Sequence, residues 1–135
     1  MKLLITILTF LLITPVVQAD TSHPGKEKFI TLCMNCHKLD RSEQMVAPPV
    51  FAVRHHYVRA YPGRADFIAQ VVEWLEEPDP NVSLMPGAMR RFNLMPKQEL
   101  TSEERDNVAA FLYDANFNEP DWYREHFEQG HGTKE

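Results

Sequence analysis

The residues best suited to chemistry gather in one run, Cys33-Met34-Asn35-Cys36-His37, which holds both cysteines of the chain and a histidine directly after the second. On a helical turn, positions i and i+3 share a face, so both sulfurs emerge together and can reach the two vinyl groups along one porphyrin edge. This CxxCH order is the attachment signature of a c-type haem. His37, fixed beside the second tether, is placed to offer one imidazole nitrogen to the iron as the proximal ligand. Other uses of the pair are poorer fits. A thioredoxin-like redox pair needs a βαβ setting, whereas the flanking chain reads as helical. A structural zinc site needs four ligands, and the adjacent His55 and His56 are badly spaced to complete one. A Cys33–Cys36 disulfide closes too small a loop to stabilise much of a fold.

Positioning these groups falls to a small chain with the marks of export. Residues 1–19 carry one early cation, Lys2, then an apolar run broken at Pro15, and end in Val17-Gln18-Ala19. That is the pattern of a cleaved secretory signal peptide, and it places the mature protein in the periplasm. The run is short for a membrane span and lacks stop-transfer charges, so no stable membrane span is expected after cleavage. Residues 20–135 suffice for a single domain, with a core over about 24–115 and a carboxyl-terminal extension over 116–135. A domain of this size has little core of its own, and a buried porphyrin supplies a large apolar body for short helices to pack around. The formal net charge is −5, with three basic against ten acidic residues from 98 to 135. That balance gives no support to nucleic-acid binding, and the acidic end reads as solvated surface.

The coarse pattern is all-α, a few helices joined by proline-rich loops. A first helix is expected from about Pro24, capped by Ser22 or His23, running into the CxxCH motif with Gly25, Phe29 and Cys33 on one face. Residues 38–59 show no long helical period, and Ala47-Pro48-Pro49-Val50 reads as extended loop. A second helix over about 64–77 carries Phe67, Ile68, Val71, Val72, Trp74 and Leu75 at helical spacing. Residues 78–96 hold four prolines and Met85, Met89 and Met95, half the methionines of the chain. Such a loop should lack strong secondary structure and suits a flat cofactor, with one thioether as the sixth iron ligand. The last core helix opens on a capping box, Thr101 with Glu104, and its apolar face is Val108, Ala109, Phe111, Leu112 and Ala115. Phe111 and Val108 should pack across Gly25 and Phe29. Residues 120–128 can form a short helix bearing Trp122, Tyr123 and Phe127, and the chain from Gly130 onward should fray. His55 and His56 cannot both face one iron and are expected at the surface or in the core. His126 and His131 are expected to be exposed. Arg54, Arg59 and Arg64 offer charge for haem propionates.

With these elements placed, the chain resembles the class I monohaem cytochromes c over roughly residues 25–113. That family sets a glycine and an aromatic ahead of the first cysteine, as Gly25 and Phe29 stand here, and an Ala-aromatic-Leu step in the last helix, as in Ala110-Phe111-Leu112. The resemblance implies that the Pro48 carbonyl accepts a hydrogen bond from His37, fixing its tautomer. It also implies that the Trp74 indole contacts a propionate. In the family the ligand methionine precedes a proline, a short loop, a Leu-Ser/Thr step and the acidic start of the last helix. Met95-Pro96 followed by Leu100-Thr101 and Glu103-Glu104 reproduces that order. Met85-Pro86 copies only its first two residues, so Met95 is the expected ligand and Met85 the second choice.

The function so implied is one-electron transfer between periplasmic redox protein partners by one covalently bound haem c, with His37 and Met95 on the iron and no catalytic residue. If the methionine were absent or labile, the iron would instead serve a gas-binding sensor or a peroxidase-like enzyme. A third possibility is a subunit docked permanently on a larger oxidoreductase through Trp122, Tyr123 and Phe127.

Overall fold

Helix signals in the sequence become six α-helices in the computed structural model, which describes residues 22–40 and 44–131, with nothing of the His131 side chain. The signal peptide expected at 1–19 and the tail from 132 lie outside the described residues. In chain order the elements are α1 (Lys26–Lys28), continued without a break by a π-helical stretch (Phe29–Cys33), α2 (Val50–Ala60), α3 (Arg64–Glu76), a 3₁₀ turn (Pro80–Val82), α4 (Pro86–Phe92), α5 (Ser102–Asp114) and α6 (Asp121–His131). The described residues contain no strand. None of their helices is long and apolar enough to cross a membrane.

The amino-terminal helix and α5 cross where the sequence places a glycine. A Cβ on Gly25 would lie 1.9 Å from the Asn107 carbonyl oxygen, so the two backbones touch there and no other residue fits. One turn on, the Phe29 and Phe111 rings meet at 5.1 Å between centroids. The α3 helix lies along α5, and its buried Phe67, Val71 and Leu75 join Val108, Ala109 and Leu112 in the main core. The α5 start is fixed as expected: the Thr101 side chain accepts from the Glu104 amide at 3.2 Å, and the Thr101 amide donates to Glu104 Oε2 at 2.9 Å. Such a reciprocal pair satisfies two donors that a helix start leaves free.

Two segments expected as loops are helical. Pro48-Pro49 does form an extended entry, but Val50–Ala60 is a three-turn helix, α2. Its apolar residues are not confined to one stripe because it packs on two sides. Val50 and Tyr57 enter the main core, while Phe51 and Ala52 enter a second cluster. Residues 78–96 likewise hold the 3₁₀ turn and α4, each with proline in its first turn. Proline there has no amide that the helix would use, so it starts a helix rather than breaking one. Asp79 caps the 3₁₀ turn, its carboxylate accepting from the Asn81 amide at 2.8 Å. The α4 helix ends at Asn93, whose φ of 66° lies in the left-handed region.

The extension forms α6, longer than expected and continuing through Gly130. Two of its three aromatics turn inward. Tyr123 and Phe127 are 4% and 9% exposed and close the second cluster on Phe51 and Ala52. Phe117 packs against both clusters and joins them.

Candidate functional site

The two loops that flank α2 and α4 meet the CxxCH turn around a single apolar cleft. Its empty volume is about 1260 Å³ with the open mouth included. Cys33, Cys36, His37, Pro48, Trp74, Met85, Met89 and Met95 all line it. The structure therefore gathers every site residue drawn from the motif and from the methionine loop.

The CxxCH segment continues the helical path. The His37 amide donates to the Cys33 carbonyl at 2.8 Å and the Cys36 amide to the same oxygen at 3.2 Å. Just before it, the Met34 amide reaches back five residues to the Phe29 carbonyl at 3.3 Å, so the turn carrying the first thiol is wider than an α-turn. Both cysteines are free thiols. Burial, with the Cys36 thiol nearby, pushes the Cys33 thiol up to about 11. Thiol–disulfide exchange relies on a thiolate stabilised near neutral pH, so the Cys33 thiol is shifted the opposite way. Among the described residues no three His, Cys, Asp or Glu side chains gather into a metal-chelating group, and a zinc site has no further ligands at this pair.

His37 is oriented from behind. Its Nδ1–H donates to the Pro48 carbonyl at 2.8 Å. Burial lowers its pKa below the ordinary histidine value, against the opposing effect of that bond. The ring is thus held neutral, with the Nε2 lone pair available to a metal. Proline is an apt partner: it leaves no amide of its own to satisfy while its carbonyl accepts.

The methionines differ in what holds them. Met95 packs against the main core, whereas Met85 packs against the second cluster with Phe51, Ala52, Tyr123 and Phe127. Met85 is also the amino-terminal cap of α4, and its amide donates to Ser83 Oγ at 3.2 Å. Trp74 reaches the cleft half-buried from α3.

The arginines and the paired histidines lie elsewhere. Arg54 donates through Nε and Nη2 to the Tyr113 carbonyl at 3.2 and 2.9 Å. Arg64 forks onto Asp114 at 2.9 and 2.7 Å, and the Arg59 guanidinium lies over the Phe127 ring at 5.2 Å. None of the three lines the cleft, and each has an acceptor or ring of its own. His55 stacks on Phe127 at 4.1 Å, and His56 Nδ1–H donates to the Ala52 carbonyl at 2.8 Å, both as packed side chains away from the cleft. His126 sits on the exposed face of α6.

Residues missed in the sequence include the α2 wall of the cleft. Val50, Val53 and Tyr57 all face it, at helical steps of three and four. That stripe was present in the sequence but masked by Phe51 and Ala52, which serve the other side of the helix. Val46, Leu84 and Leu94 complete the apolar rim.

No known family model matches the chain, and no solved structure matches it. It is similar to an uncharacterized protein of Aquifex aeolicus (strain VF5), 32% identical over 90 residues. The match covers 64% of this chain and 57% of that relative, so the chain spans little more than half of the relative's length.

Proposed function

We propose that the chain is a class I monohaem cytochrome c that carries one covalently bound haem c and passes single electrons between periplasmic redox proteins. The observation that supports this most is the convergence of Cys33, Cys36, His37 and three thioethers on one apolar cleft, with the His37 ring aimed by the Pro48 carbonyl. The donor set fits the group: two thiols would supply the tethers, and a neutral imidazole and a soft thioether would hold the iron. When bound, haem supplies an iron that takes up and gives back one electron.

The rest is the work of the chain. Cys33 and Cys36 would hold the porphyrin edge through thioether bonds. Pro48 accepts the hydrogen bond from His37 Nδ1, which would leave Nε2 free to hold the iron. Met95 offers a thioether that favours the ferrous state, and the apolar wall from Val50, Val71, Leu75 and Leu112 raises the cost of the extra ferric charge. Trp74 supplies a donor beside the cleft for a propionate. Three methionines around one cleft weigh against an open sixth position, and with it against the gas-binding or peroxidase-like reading. Of the three residues a bound-subunit contact would use, Tyr123 and Phe127 are buried within the chain and Trp122 is half-buried.

A pyridine haemochrome spectrum of the exported protein tests the reading. One haem per chain with the absorbance of two saturated thioether links is expected, and protein exported intact without haem refutes it. Cys33→Ala with Cys36→Ala removes the covalent link, so haem becomes extractable by acidified organic solvent.

A further inference from the structure

Met85 and Met95 are chemically matched. Each is followed by proline, each is half-buried, and both line the same cleft. Sequence-local chemistry therefore gives iron two equivalent thioethers ten residues apart. What separates them is the surface each packs on. Met95 rests on the main core, built from α1 with its π-helical continuation, α2, α3 and α5, while Met85 rests on a cluster closed by α6. In that cluster Phe51 is 1% exposed and Tyr123 stands against it at 4.9 Å between ring centroids. Phe127 is buried beside them and stacked on His55. Apart from Met85 and Phe117, the cover over Phe51 and Ala52 is supplied by α6.

We infer that α6 is a ligand-selecting clamp: by closing the Phe51–Tyr123–Phe127 cluster it keeps the Met85 side chain engaged as packing and leaves Met95 as the thioether for the iron. This rests on the haem reading and assigns the extension a role in that same site. A bistable choice between two thioethers needs only a modest difference in free energy, and a minor form typically holds about 0.1–10% of the molecules. Apolar cover removed from Met85 erodes that difference directly, because a large-to-small change in such a cluster withdraws several kcal/mol of packing. Tyr123 and Phe127 touch no cofactor in this scheme and act as positioning residues.

The test is made on the full-length ferrous holoprotein by proton NMR, where an iron-bound methionine gives its own upfield-shifted methyl resonance. One such set is expected in the wild type. Phe127→Ala should give a second set that holds more than about a tenth of the protein, and Phe127→Ala with Met85→Leu should return to a single set. Phe127→Leu retains apolar volume and covers the case where the alanine variant does not fold; its second set should be smaller and vanish in the same way on adding Met85→Leu. A single unchanged set in both Phe127 variants, with haem retained, overturns the clamp alone. A second set that survives Met85→Leu overturns it as well. No upfield methionine methyl in the wild type would defeat the six-coordinate reading and the clamp together, which distinguishes the two failures.

Discussion

Two thioethers that face one cleft cannot be ranked as iron ligands by their own chemistry, so position must decide between Met95 and Met85. Met95 sits against the main core and leads into the capped start of α5, while Met85 caps α4 and lies against the second cluster. Met95→Leu should therefore abolish the methionine-to-ferric-iron charge-transfer band in the far-red absorbance, and Met85→Leu should leave it in place. The reverse pattern would assign the ligand to Met85. A different residue-scale expectation comes from Tyr123, whose hydroxyl is buried with no hydrogen-bond partner among the described residues. A desolvated hydroxyl with no partner is a net cost of about 1–3 kcal/mol. Tyr123→Phe removes that cost and keeps the ring against Phe51, so thermal unfolding of the variant should move up by a few degrees. A fall in midpoint would show that the hydroxyl is satisfied in solution.

Among the elements, what decided legibility was whether a helix buries one face or two. Helices α3 and α5 were readable because their buried apolar residues form one stripe that faces the main core, and α5 also opens on a capping box. The α2 helix was not readable, because Val50, Val53 and Tyr57 serve the cleft while Phe51 and Ala52 serve α6, and the two stripes together look like an unpatterned apolar run. The short helix α4 was hidden by prolines that read as breakers. The crossing of the terminal helices makes a firm prediction. Gly25→Ala places a methyl 1.9 Å from a backbone oxygen and 2.8 Å from the Val108 amide nitrogen, and neither atom can swing aside. Overpacking of this kind costs about 1–3 kcal/mol or more, measured as a lower denaturation midpoint. Asp114, where α5 ends, links three parts of the chain: it accepts from Arg64 of α3 and from His23 ahead of α1. The Arg64 hydrogen bonds hold its carboxyl below the ordinary carboxylate range, against an opposing desolvation and with His23 adding to the lowering. A carboxylate lowered in the folded state contributes stability that is complete above the unfolded value and is lost as pH falls through the folded one. Asp114→Asn should therefore be less stable than wild type at neutral pH and converge with it in acid. Because the pair is open to solvent, added salt should shrink the gap.

Across the whole molecule, the core and the cleft wall are largely the same residues: Phe29, Val50, Tyr57, Val71, Leu75, Val108 and Leu112 belong to the main core and also line the cleft. The motif points to a cofactor from the sequence alone but gives no sign of this sharing, because α2 and the rim residues Val46, Leu84 and Leu94 become neighbours only when the loops close. A small domain that divides its apolar surface in this way has no separate reserve of burial, and a porphyrin seated in the cleft would cover the rim side chains Val46 and Leu94, which are 61% and 42% exposed. The second cluster, by contrast, is closed by the chain itself through α6. The two regions should thus respond unequally to loss of the tether. In the Cys33→Ala, Cys36→Ala protein, stripped of haem, helical circular dichroism should fall and cooperative thermal unfolding should broaden, as a core robbed of its central body keeps compactness before it keeps fixed packing. Amide exchange resolves where this happens: protection should drop most in α3, α5 and the Phe29–Cys33 stretch, and less in the α2–α6 contact around Phe51. Equal protection with and without haem throughout α3 and α5 would mean that the chain packs its core unaided, and that the cleft is a surface feature on an already complete fold.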